Sequence, residues 1–548
     1  MTKSLCFDHN SGAPLSGDAP VRGTAKPYAR GVRTSSVLVC VSLLLTVACS
    51  HPAAREAAPD PTADAAPIVR VRTHRTVGPF EPALLGTNVP AWLGRGLVDD
   101  PVLRTRLDAL APTILRMPGG SWSNHYDWLS CERGAPCPWS GVLTPADYAD
   151  LLAATGAEGM WTVNVNGTAQ EAAALVAYFN GNVADDRPLG TDRTGRDWGT
   201  VGEWARARAA AGHPDPVPVR WWEIGNEIYA GRGDGDDACV EWAWEESWTC
   251  DGTEYVHGDG VHDGFVAFRD AMKAVDPTIL VGAVGVENPG EWGDWGYEVL
   301  DATSTMDLYI VHDYAFAGAP EVADALQRPP QAWPAITRRA VAPADAAPLL
   351  AVTEHNLVAV QDEDDDALMT RGLNALYLAD TIGQMALHGV AVANHWNFAN
   401  GPADNGTDYG LVDVATGHRH PAYFSAVLWR RFGDELLVTE SDLDPVVTLS
   451  TYAARVEDGG YTVLAVNKTG TEIEATIELE RATGRHRVHA DVLAFPSPTA
   501  TELTFNGSST PSDDLTDPPI ELGEAGDRLT HIFAPWSVTL LRFEPIGD

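Results

Sequence analysis

The chain has 548 residues, of which 45% are hydrophobic and 21% charged, a composition typical of a globular protein and a length that favours more than one domain. Its 76 acidic and 37 basic side chains give a formal net charge of −39. Such a chain repels nucleic acid and anionic membrane surfaces, because it lacks the cations that neutralise phosphates, so its charge favours a neutral partner.

The N-terminal residues have the pattern of a targeting segment and a linker. Arg30 and Arg33 precede the apolar run 37–48, which is too short to span a bilayer but typical of a signal peptide. We therefore predict a signal peptide over residues 1–49 and an exported protein, either extracellular or held at the cell surface. Cys49 ends the run as the lipidated cysteine of a bacterial lipoprotein does, so a lipid anchor at Cys49 and ordinary signal cleavage are both open. Residues 50–67 are rich in Ala and Pro and predict a disordered linker.

Four cysteines follow the targeting segment in two close pairs, Cys131/Cys137 and Cys239/Cys250. Each pair encloses a short loop, which predicts two disulfide bonds formed in an oxidising compartment. Neither pair has the spacing of zinc ligands, and no histidine cluster accompanies them, so the sequence predicts no metal site there.

Residues 81–430 alternate short apolar runs with longer helical patterns. The predicted strands are 84–88, 113–118, 160–166, 219–225, 279–284, 307–312, 349–353 and 390–397. The predicted helices include 101–110, 145–155, 169–180, 264–275 and 367–388. These strand–helix units predict an α/β fold, a (β/α)₈ TIM barrel. A doubly wound open sheet is the alternative, although no Gly-rich phosphate turn follows the first strand.

Residues 431–548 contain strand-like runs without helices between them. The runs are 445–453, 461–467, 472–479, 486–492, 501–505 and 537–543. They predict an accessory C-terminal β-sandwich. The strand-like segment 68–80 precedes the barrel, and we expect it to join the sandwich, which would then be built from both ends of the chain.

Polar side chains gather at the C-terminal ends of six predicted barrel strands, where the active sites of such barrels lie. Any one of them fits a satisfied buried polar group or a helix cap, but together they predict an active site. They are Arg116, Asn164, Asn166, Asn226, Glu227, His312, Tyr314, Glu354 and Trp396.

Two of these residues are glutamates on strands that face each other across part of the barrel mouth. Glu227 ends the fourth predicted strand and Glu354 follows the seventh. Glycoside cleavage needs such a pair, because one carboxyl group must donate a proton to the leaving oxygen while the other attacks the anomeric carbon. A retaining mechanism predicts that the two carboxyl groups are about 5–5.5 Å apart.

Several motifs occur in the order found in one enzyme family. They are LRMPGGSWSNHYDW (115–128), VNVNGTAQEAAALVAYFNG (163–181), WWEIGNE (221–227), DLYIVHDY (307–314) and AVTEHN (351–356). The chain resembles the clan A glycoside hydrolases and is most similar to family 51, the α-L-arabinofuranosidases. The resemblance implies a barrel followed by a sandwich, and a secreted retaining hydrolase of a neutral poly- or oligosaccharide.

The resemblance also implies roles for individual residues. Glu227 would be the acid/base and Glu354 the nucleophile. Asn226 would bind the sugar hydroxyl beside the reacting carbon, and Arg116 would keep Glu354 ionised. The remaining substrate-binding residues would be Asn166, His312, Tyr314 and, as the floor of the subsite, Trp396.

The chain departs from the family after its first predicted strand. Family 51 enzymes place a sugar-binding glutamate there, whereas this chain has GTNVPAW (86–92) with Pro90 near that position. The sugar and linkage therefore stay open, and an endo-glucanase, a xylosidase or a galactofuranosidase is an alternative within the clan. A carbohydrate-binding lipoprotein that has lost catalysis is the alternative from another class. No HExxH, P-loop or dinucleotide motif occurs in the sequence, so we predict no cofactor and no metal.

Overall fold

The computed structural model describes residues 66–132, 141–217, 219–232, 243–344 and 346–547. The predicted signal peptide, most of the predicted linker and Cys49 lie outside the described residues. So do Cys137 and Cys239, one cysteine of each predicted disulfide, and both pairings therefore stay predictions.

The described residues contain the following strands and helices. The strands are β1 Ile68–Pro79, β2 Gly86–Asn88, β3 Ile114–Met117, β4 Glu158–Val163, β5 Val219–Ile224, β6 Leu280–Val284, β7 Leu308–Phe316, β8 Leu349–Val358, β9 Val392–His395, β10 Ala399–Asn400, β11 Val412–Asp413, β12 Glu435–Ser441, β13 Leu449–Arg455, β14 Tyr461–Asn467, β15 Ile473–Glu480, β16 His486–Ala494, β17 Thr504–Phe505, β18 Ile520–Ala525, β19 Arg528–Phe533 and β20 Ser537–Pro545. The α-helices are α1 Gly94–Asp99, α2 Pro101–Leu110, α3 Trp128–Glu132, α4 Pro145–Thr155, α5 Ala169–Asn180, α6 Val201–Ala210, α7 Gly252–His257, α8 Phe265–Val275, α9 Trp295–Ala302, α10 Val322–Ala340, α11 Gly372–Leu387 and α12 Pro421–Arg430.

Strands β2 to β9 close a parallel barrel in chain order, with β2 paired to both β3 and β9. Each of the predicted barrel strands overlaps one of these eight, so the predicted (β/α)₈ fold is confirmed. Their apolar side chains fill the interior and the strand–helix interface, as a closed barrel requires.

Side-chain caps explain why several helices begin where the sequence predicts. Asp100 accepts from the backbone of Val102 and Leu103 at the start of α2. Thr144 forms a capping box with Asp147 at the start of α4, and Thr168 caps α5. Each cap satisfies backbone N–H groups that have no partner within the first turn of a helix.

Strands β7 and β8 extend beyond their predicted ends, and this corrects the predicted placement of Glu354. The prediction ends the strand at residue 353, but β8 continues to Val358, so Glu354 lies inside the strand. Between Val311 and His312 the register shifts, so that Thr353 is an extra residue on β8. Such a bulge redirects the side chains that follow it, and bulges are frequent beside active sites.

The second domain is a ten-stranded sheet, mostly antiparallel, that folds over an apolar core of its own. β1 lies between β12, to which it is antiparallel, and β15, to which it is parallel. The predicted accessory β-domain is confirmed, but three of its strands (β12, β18 and β19) were not among the predicted runs. β18 and β19 expose most of their side chains, so they lack the apolar periodicity that marks a strand in sequence.

None of the helices among the described residues is both long and apolar enough to cross a membrane.

A buried ion pair joins the barrel to the sheet domain. Lys468, after β14, places Nζ 2.6 Å from Asp380 Oδ2 on α11, and both side chains are 1% exposed. The hydroxyl of Tyr452 donates to the same carboxylate, and Lys468 Nζ also donates to the carbonyl of Pro445 at 2.7 Å. Because each charge is out of water, each depends on the other for its stability.

We predict that Asp380→Ala lowers the free energy of unfolding by about 3–5 kcal/mol, because Lys468 would then be buried without its counter-charge. Guanidinium unfolding followed by tryptophan fluorescence measures this change. Arg485→Ala is the control, since the Arg485–Glu524 pair is exposed (71% and 44%), and it should cost at most about 1 kcal/mol. Equal losses in the two variants would contradict the prediction.

Candidate active site

Arg116 on β3 is fully buried at the centre of the barrel mouth. Its Nε donates to Glu223 Oε2 at 2.7 Å, and Nη1 donates to Glu354 Oε1 at 2.7 Å. Nη1 also donates to Asn88 Oδ1, and Nη2 to Asn226 Oδ1, both at 2.8 Å. Burial opposes the charge, but the two carboxylates raise the pKa of Arg116 above its ordinary value. One guanidinium thus fixes side chains from β2, β5, β8 and the turn after β5.

Glu223 on β5 is a buried carboxylate that the sequence analysis missed. It accepts hydrogen bonds from Thr162 Oγ1 at 3.1 Å and Thr353 Oγ1 at 3.2 Å, besides the bond from Arg116. Burial alone would raise the pKa of Glu223, but Arg116 and His312 lower it to about 2. The signal was present in WWEIGNE, where Glu223 is the charged residue in the middle of an apolar strand.

Glu227 follows β5 at a left-handed backbone position, with a φ of 45°. A non-glycine residue there carries strain of roughly 1–2 kcal/mol, which is found mainly where function fixes the side chain. Its Oε2 accepts from Trp244 Nε1 at 2.8 Å, and its Oε1 lies 2.8 Å from His312 Nδ1. Burial alone would raise the pKa of Glu227, but hydrogen bonds from His312, Trp244 and Tyr229 bring it below its ordinary value.

His312 on β7 bridges the carboxylates. Its Nε2 lies 3.0 Å from Thr353 Oγ1 and 3.8 Å from Glu223 Oε1, and its Nδ1 lies 3.7 Å from Glu354 Oε2. Burial would lower the pKa of His312, but Glu354, Glu223 and Glu227 together raise it to about 10. The imidazole is therefore positively charged at neutral pH, with the Nδ1 proton directed at Glu227.

Glu354 on β8 is held from two directions. Besides the bond from Arg116, Tyr314 Oη donates to its Oε2 at 2.6 Å. Burial and the nearby Glu354 raise the pKa of Tyr314 far above its ordinary value, so the phenol stays protonated and remains a donor. One carboxylate oxygen each of Glu227 and Glu354 and one ring nitrogen of His312 all lie within 4.8 Å of one another.

Asn226 has both ends of its amide fixed. Its Oδ1 accepts from Arg116, and its Nδ2 donates to Glu245 Oε1 at 2.9 Å. Glu245 is fully buried and also accepts from Ser121 Oγ at 2.6 Å and Asn124 Nδ2 at 2.7 Å. Burial and the nearby Glu227 raise the pKa of Glu245 to about 8. The sequence analysis missed Glu245, because it comes from the loop after β5 and not from a strand end.

Asn166, a predicted substrate-binding residue, contacts two loops at the barrel mouth, and its role in binding stays a prediction. Its Nδ2 donates to the backbone carbonyls of Asn124 and Glu246 at 2.8 and 2.7 Å, so both amide protons hold loops together. The end of the third predicted barrel strand, which is β4 in the structure, therefore supports the loops at the mouth through this residue.

Trp396 follows β9 and is 8% exposed. Its peptide bond to Asn397 is cis. The indole packs against Gly119 and Gly120, where a Cβ on Gly120 would lie 2.6 Å from the ring. The ring centroid of Trp92 is 5.8 Å away. Trp396 is thus part of an aromatic cluster at the mouth, next to the turn after β3.

Glu227, His312 and Glu354 are also the side chains whose spacing would admit a cation. In the structure the positive charge among them is that of His312 itself, which already hydrogen-bonds Glu227. The arrangement is that of two carboxylates held close together and given different surroundings. It defines a (β/α)₈ barrel with a paired-carboxylate site at its mouth.

Comparison with known proteins agrees with this class. No protein-family model matches the chain. A stretch of 230 residues is 26% identical to α-L-arabinofuranosidase C of Emericella nidulans and covers 38% of this chain and 38% of that relative. The chain therefore matches well under half of that relative's length.

Solved structures show the same fold. The α-L-arabinofuranosidase of Thermotoga maritima, in complex with arabinose, superposes with a TM-score of 0.64 at 18% identity, over 87% of this chain and 99% of that one. A family 44 xyloglucanase of Paenibacillus polymyxa gives a TM-score of 0.57 at 15% identity, over 88% and 100%. The chain is similar to the family 51 arabinofuranosidases, as its motifs predict, and it shares its fold with an enzyme of another specificity.

We predict that Glu245→Gln changes how stability depends on pH. A carboxyl pKa raised from 4.5 to about 8 on folding favours the folded state below pH 4.5, and this contribution is lost as the pH rises through 8. The glutamine variant lacks that loss, so its stability relative to wild type should rise by up to about 1.4 kcal/mol per pH unit across this window. Urea unfolding at pH 5 and pH 8 measures the difference. A difference that does not vary with pH would contradict the prediction.

Proposed function

We propose that the chain is a retaining glycoside hydrolase of the arabinofuranosidase-like type, with Glu227 as acid/base and Glu354 as nucleophile. The observation that carries the proposal is the spacing of the pair, whose nearest carboxylate oxygens lie within 4.8 Å. Retaining glycosidases need carboxyl groups about 5–5.5 Å apart, whereas inverting enzymes need about 6.5–9.5 Å to admit a water molecule between them and the sugar.

The environment of Glu354 suits a nucleophile. Arg116 and Tyr314 each donate one hydrogen bond to it, and both bonds favour the ionised carboxylate. In the first step a carboxylate oxygen of Glu354 bonds to the anomeric carbon. The bond from that carbon to the leaving oxygen breaks, and its electron pair stays on the leaving oxygen.

The environment of Glu227 suits a group that must gain and lose a proton. His312 Nδ1 lies 2.8 Å from Glu227 Oε1 and directs a proton at it, so the two groups share one proton and titrate as a unit. When the leaving oxygen reaches Glu227, this proton passes through the carboxyl group to it. In the second step Glu227 takes a proton from water, the water oxygen bonds to the anomeric carbon, and Glu354 is released.

Asn226 is placed to bind the hydroxyl beside the reacting carbon. Its amide is fixed by Arg116 and Glu245, so no side-chain entropy is lost when it binds the sugar. Such a bond strengthens as positive charge develops on the ring in the transition state. Glu245 contributes by positioning Asn226.

The substrate is a neutral oligo- or polysaccharide, in keeping with the net charge of −39. Export through the predicted signal peptide, with or without lipidation at Cys49, would bring the enzyme to such polymers. An endo-glucanase, xylosidase or galactofuranosidase activity is the second candidate, because the family's glutamate after the first barrel strand is replaced by Pro90 and its neighbours. A binding protein without catalysis is less well supported, since the hydrogen bonds to both glutamates are those that the chemistry requires.

We predict that Glu354→Ala abolishes hydrolysis of every glycoside that the wild type cleaves, while the protein stays folded. Glu227→Ala should slow substrates with poor leaving groups by about 10²-fold or more, but aryl glycosides far less, because nitrophenolate departs without a proton. The measurement is kcat/KM on nitrophenyl α-L-arabinofuranoside, β-D-xyloside, β-D-glucoside, β-D-cellobioside and β-D-galactofuranoside and on the matching natural disaccharides.

Glu363→Ala is the control for these variants, since Glu363 is an exposed glutamate in the loop after β8. Proton NMR of the first product formed by the wild type identifies its anomer, which should be that of the substrate. A first product with the opposite anomeric configuration would overturn the assignment of Glu227 as acid/base and Glu354 as nucleophile. So would an equal loss of kcat/KM in Glu227→Ala on aryl and natural substrates.

A separate prediction concerns pH. The proton shared by His312 and Glu227 is held by a histidine pKa of about 10, so it is present below that pH and is lost as the pH rises through it. On the alkaline side, kcat/KM should therefore fall at a pH well above the one expected for an enzyme whose acid is an ordinary carboxyl group. In His312→Asn this alkaline limb should move down by about one pH unit or more, because the carboxyl group alone then holds the proton.

The pH profiles of wild type, His312→Asn and the control His257→Asn measure this shift; His257 is an exposed histidine at the end of α7. An alkaline limb that stays in place in His312→Asn would show that His312 does not share the proton.

A further inference from the structure

Two groups of tryptophans stand at the barrel mouth beside the carboxylate network. The first wall consists of Trp92, Trp122 and Trp396, which follow β2, β3 and β9. The ring centroid of Trp92 lies 5.3 Å from that of Trp122 and 5.8 Å from that of Trp396. The second wall consists of Trp244 and Trp292, which follow β5 and β6, with centroids 5.5 Å apart. Except for Trp396, each of these indoles is partly exposed.

The barrel topology places the walls on opposite sides of the mouth. In a closed barrel of eight strands in chain order, β2 faces β6 and β9 faces β5. The first wall follows β9, β2 and β3, and the second follows β5 and β6. Glu227 follows β5, a strand of the second wall, and Glu354 lies on β8, next to β9 of the first wall.

Packing holds both walls in place before any ligand binds. In the first wall, Trp396 packs against Gly119 and Gly120, and a Cβ on Gly120 would collide with its ring. In the second wall, Trp292 packs against Tyr229 with centroids 4.9 Å apart. Rigid aromatic faces bind at a low entropic cost.

The hydrogen bonds of the two walls indicate which part of the substrate each wall would contact, the leaving group or the sugar that is transferred. Trp244 Nε1 donates to Glu227, and the acid/base stands on the side of the leaving group. The first wall stands on the side of Glu354, because Asn356, two residues further along β8, donates to the carbonyl of Trp396 at 2.6 Å. The nucleophile stands on the side of the sugar that is transferred.

We infer that the two tryptophan walls bind a neutral chain of pyranose sugars that runs across the mouth, with one sugar stacked on each side of the scissile bond. A pyranose chair with equatorial hydroxyls exposes a flat C–H face that matches an indole, and four of the five indoles of the walls are partly exposed. This inference rests on the proposed function for the naming of the two sides, and it deepens the endo-glucanase or xylosidase candidate by giving the substrate class.

The test measures binding to the folded but inactive Glu354→Gln variant by titration calorimetry. The probes are cellohexaose, xylohexaose, mannohexaose and α-1,5-arabinofuranohexaose, each with its disaccharide. We expect at least one pyranose hexaose to bind about tenfold or more tightly than its disaccharide. Trp92→Ala and Trp292→Ala, each added to Glu354→Gln, should weaken that binding by about threefold to tenfold each. Ile532→Ala, which removes an exposed apolar side chain of the sheet domain (54% exposed), is the control and should leave binding unchanged.

The outcomes separate this inference from the proposed function. If nitrophenyl glycosides are hydrolysed with retention but no pyranose hexaose binds more tightly than its disaccharide, the inferred role of the walls is wrong. The two-glutamate mechanism would then still stand. Preference for the arabinofuranohexaose would also overturn the inference. If a pyranose hexaose binds in a way that depends on the tryptophans but no glycoside is hydrolysed, the inferred role of the walls is supported. The proposed catalysis would then be wrong. The chain-length comparison needs no tryptophan variant, so it decides the question even where such a variant fails to fold.

Discussion

The buried guanidinium of Arg116 is the interaction on which the rest of the site depends. It is the donor that joins Asn88 on β2, Glu223 on β5, Asn226 after β5 and Glu354 on β8. A single cation of fixed planar shape thereby sets the positions of two carboxylates that would otherwise repel each other in a region of low dielectric. Lysine offers the same charge without that fork, so the geometry of the mouth depends on the shape of the residue as much as on its charge.

The positions of the charged groups around Arg116 explain why Glu227 and Glu354 have different surroundings. Arg116 pairs with Glu223 and Glu354, whereas Glu227 pairs with His312, which lies farther from Glu354, at 3.7 Å. A fixed cation cannot release a proton, so it keeps a carboxylate ionised. An imidazolium can release one, so it can supply a carboxyl group that must be an acid. In the proposed mechanism, the different roles of the two glutamates follow from the cation nearest to each, which is Arg116 for Glu354 at 2.7 Å and His312 for Glu227 at 2.8 Å.

Sequence predicted the features that local patterns encode and missed those that tertiary contacts create. Helices α2, α4 and α5 match their predicted bounds, because Asp100, Thr144 and Thr168 cap them and the residues that follow are strong helix formers. The strand ends located Arg116, Glu227 and Glu354, because barrels present their sites there. Glu245 could not be found this way, since its position depends on contacts between the loop after β5 and the turn after β3. The bulge at Thr353 could not be predicted from the sequence either, because strand register depends on how two strands pair.

The same division separates chemistry from recognition in the proposed function. The groups to which the proposal assigns chemistry lie on β3, β5, β7 and β8 and in the turn after β5, and all of them touch one hydrogen-bonded network. The tryptophan walls lie in the segments after β2, β3, β9, β5 and β6 and touch that network at its edge, through Trp244. Residues 90–92 can therefore differ from the family pattern without disturbing Arg116, because Asn88, two residues earlier, still accepts its hydrogen bond. A barrel built in this way can change its sugar while it keeps its mechanism, which is why the fold alone does not fix the substrate.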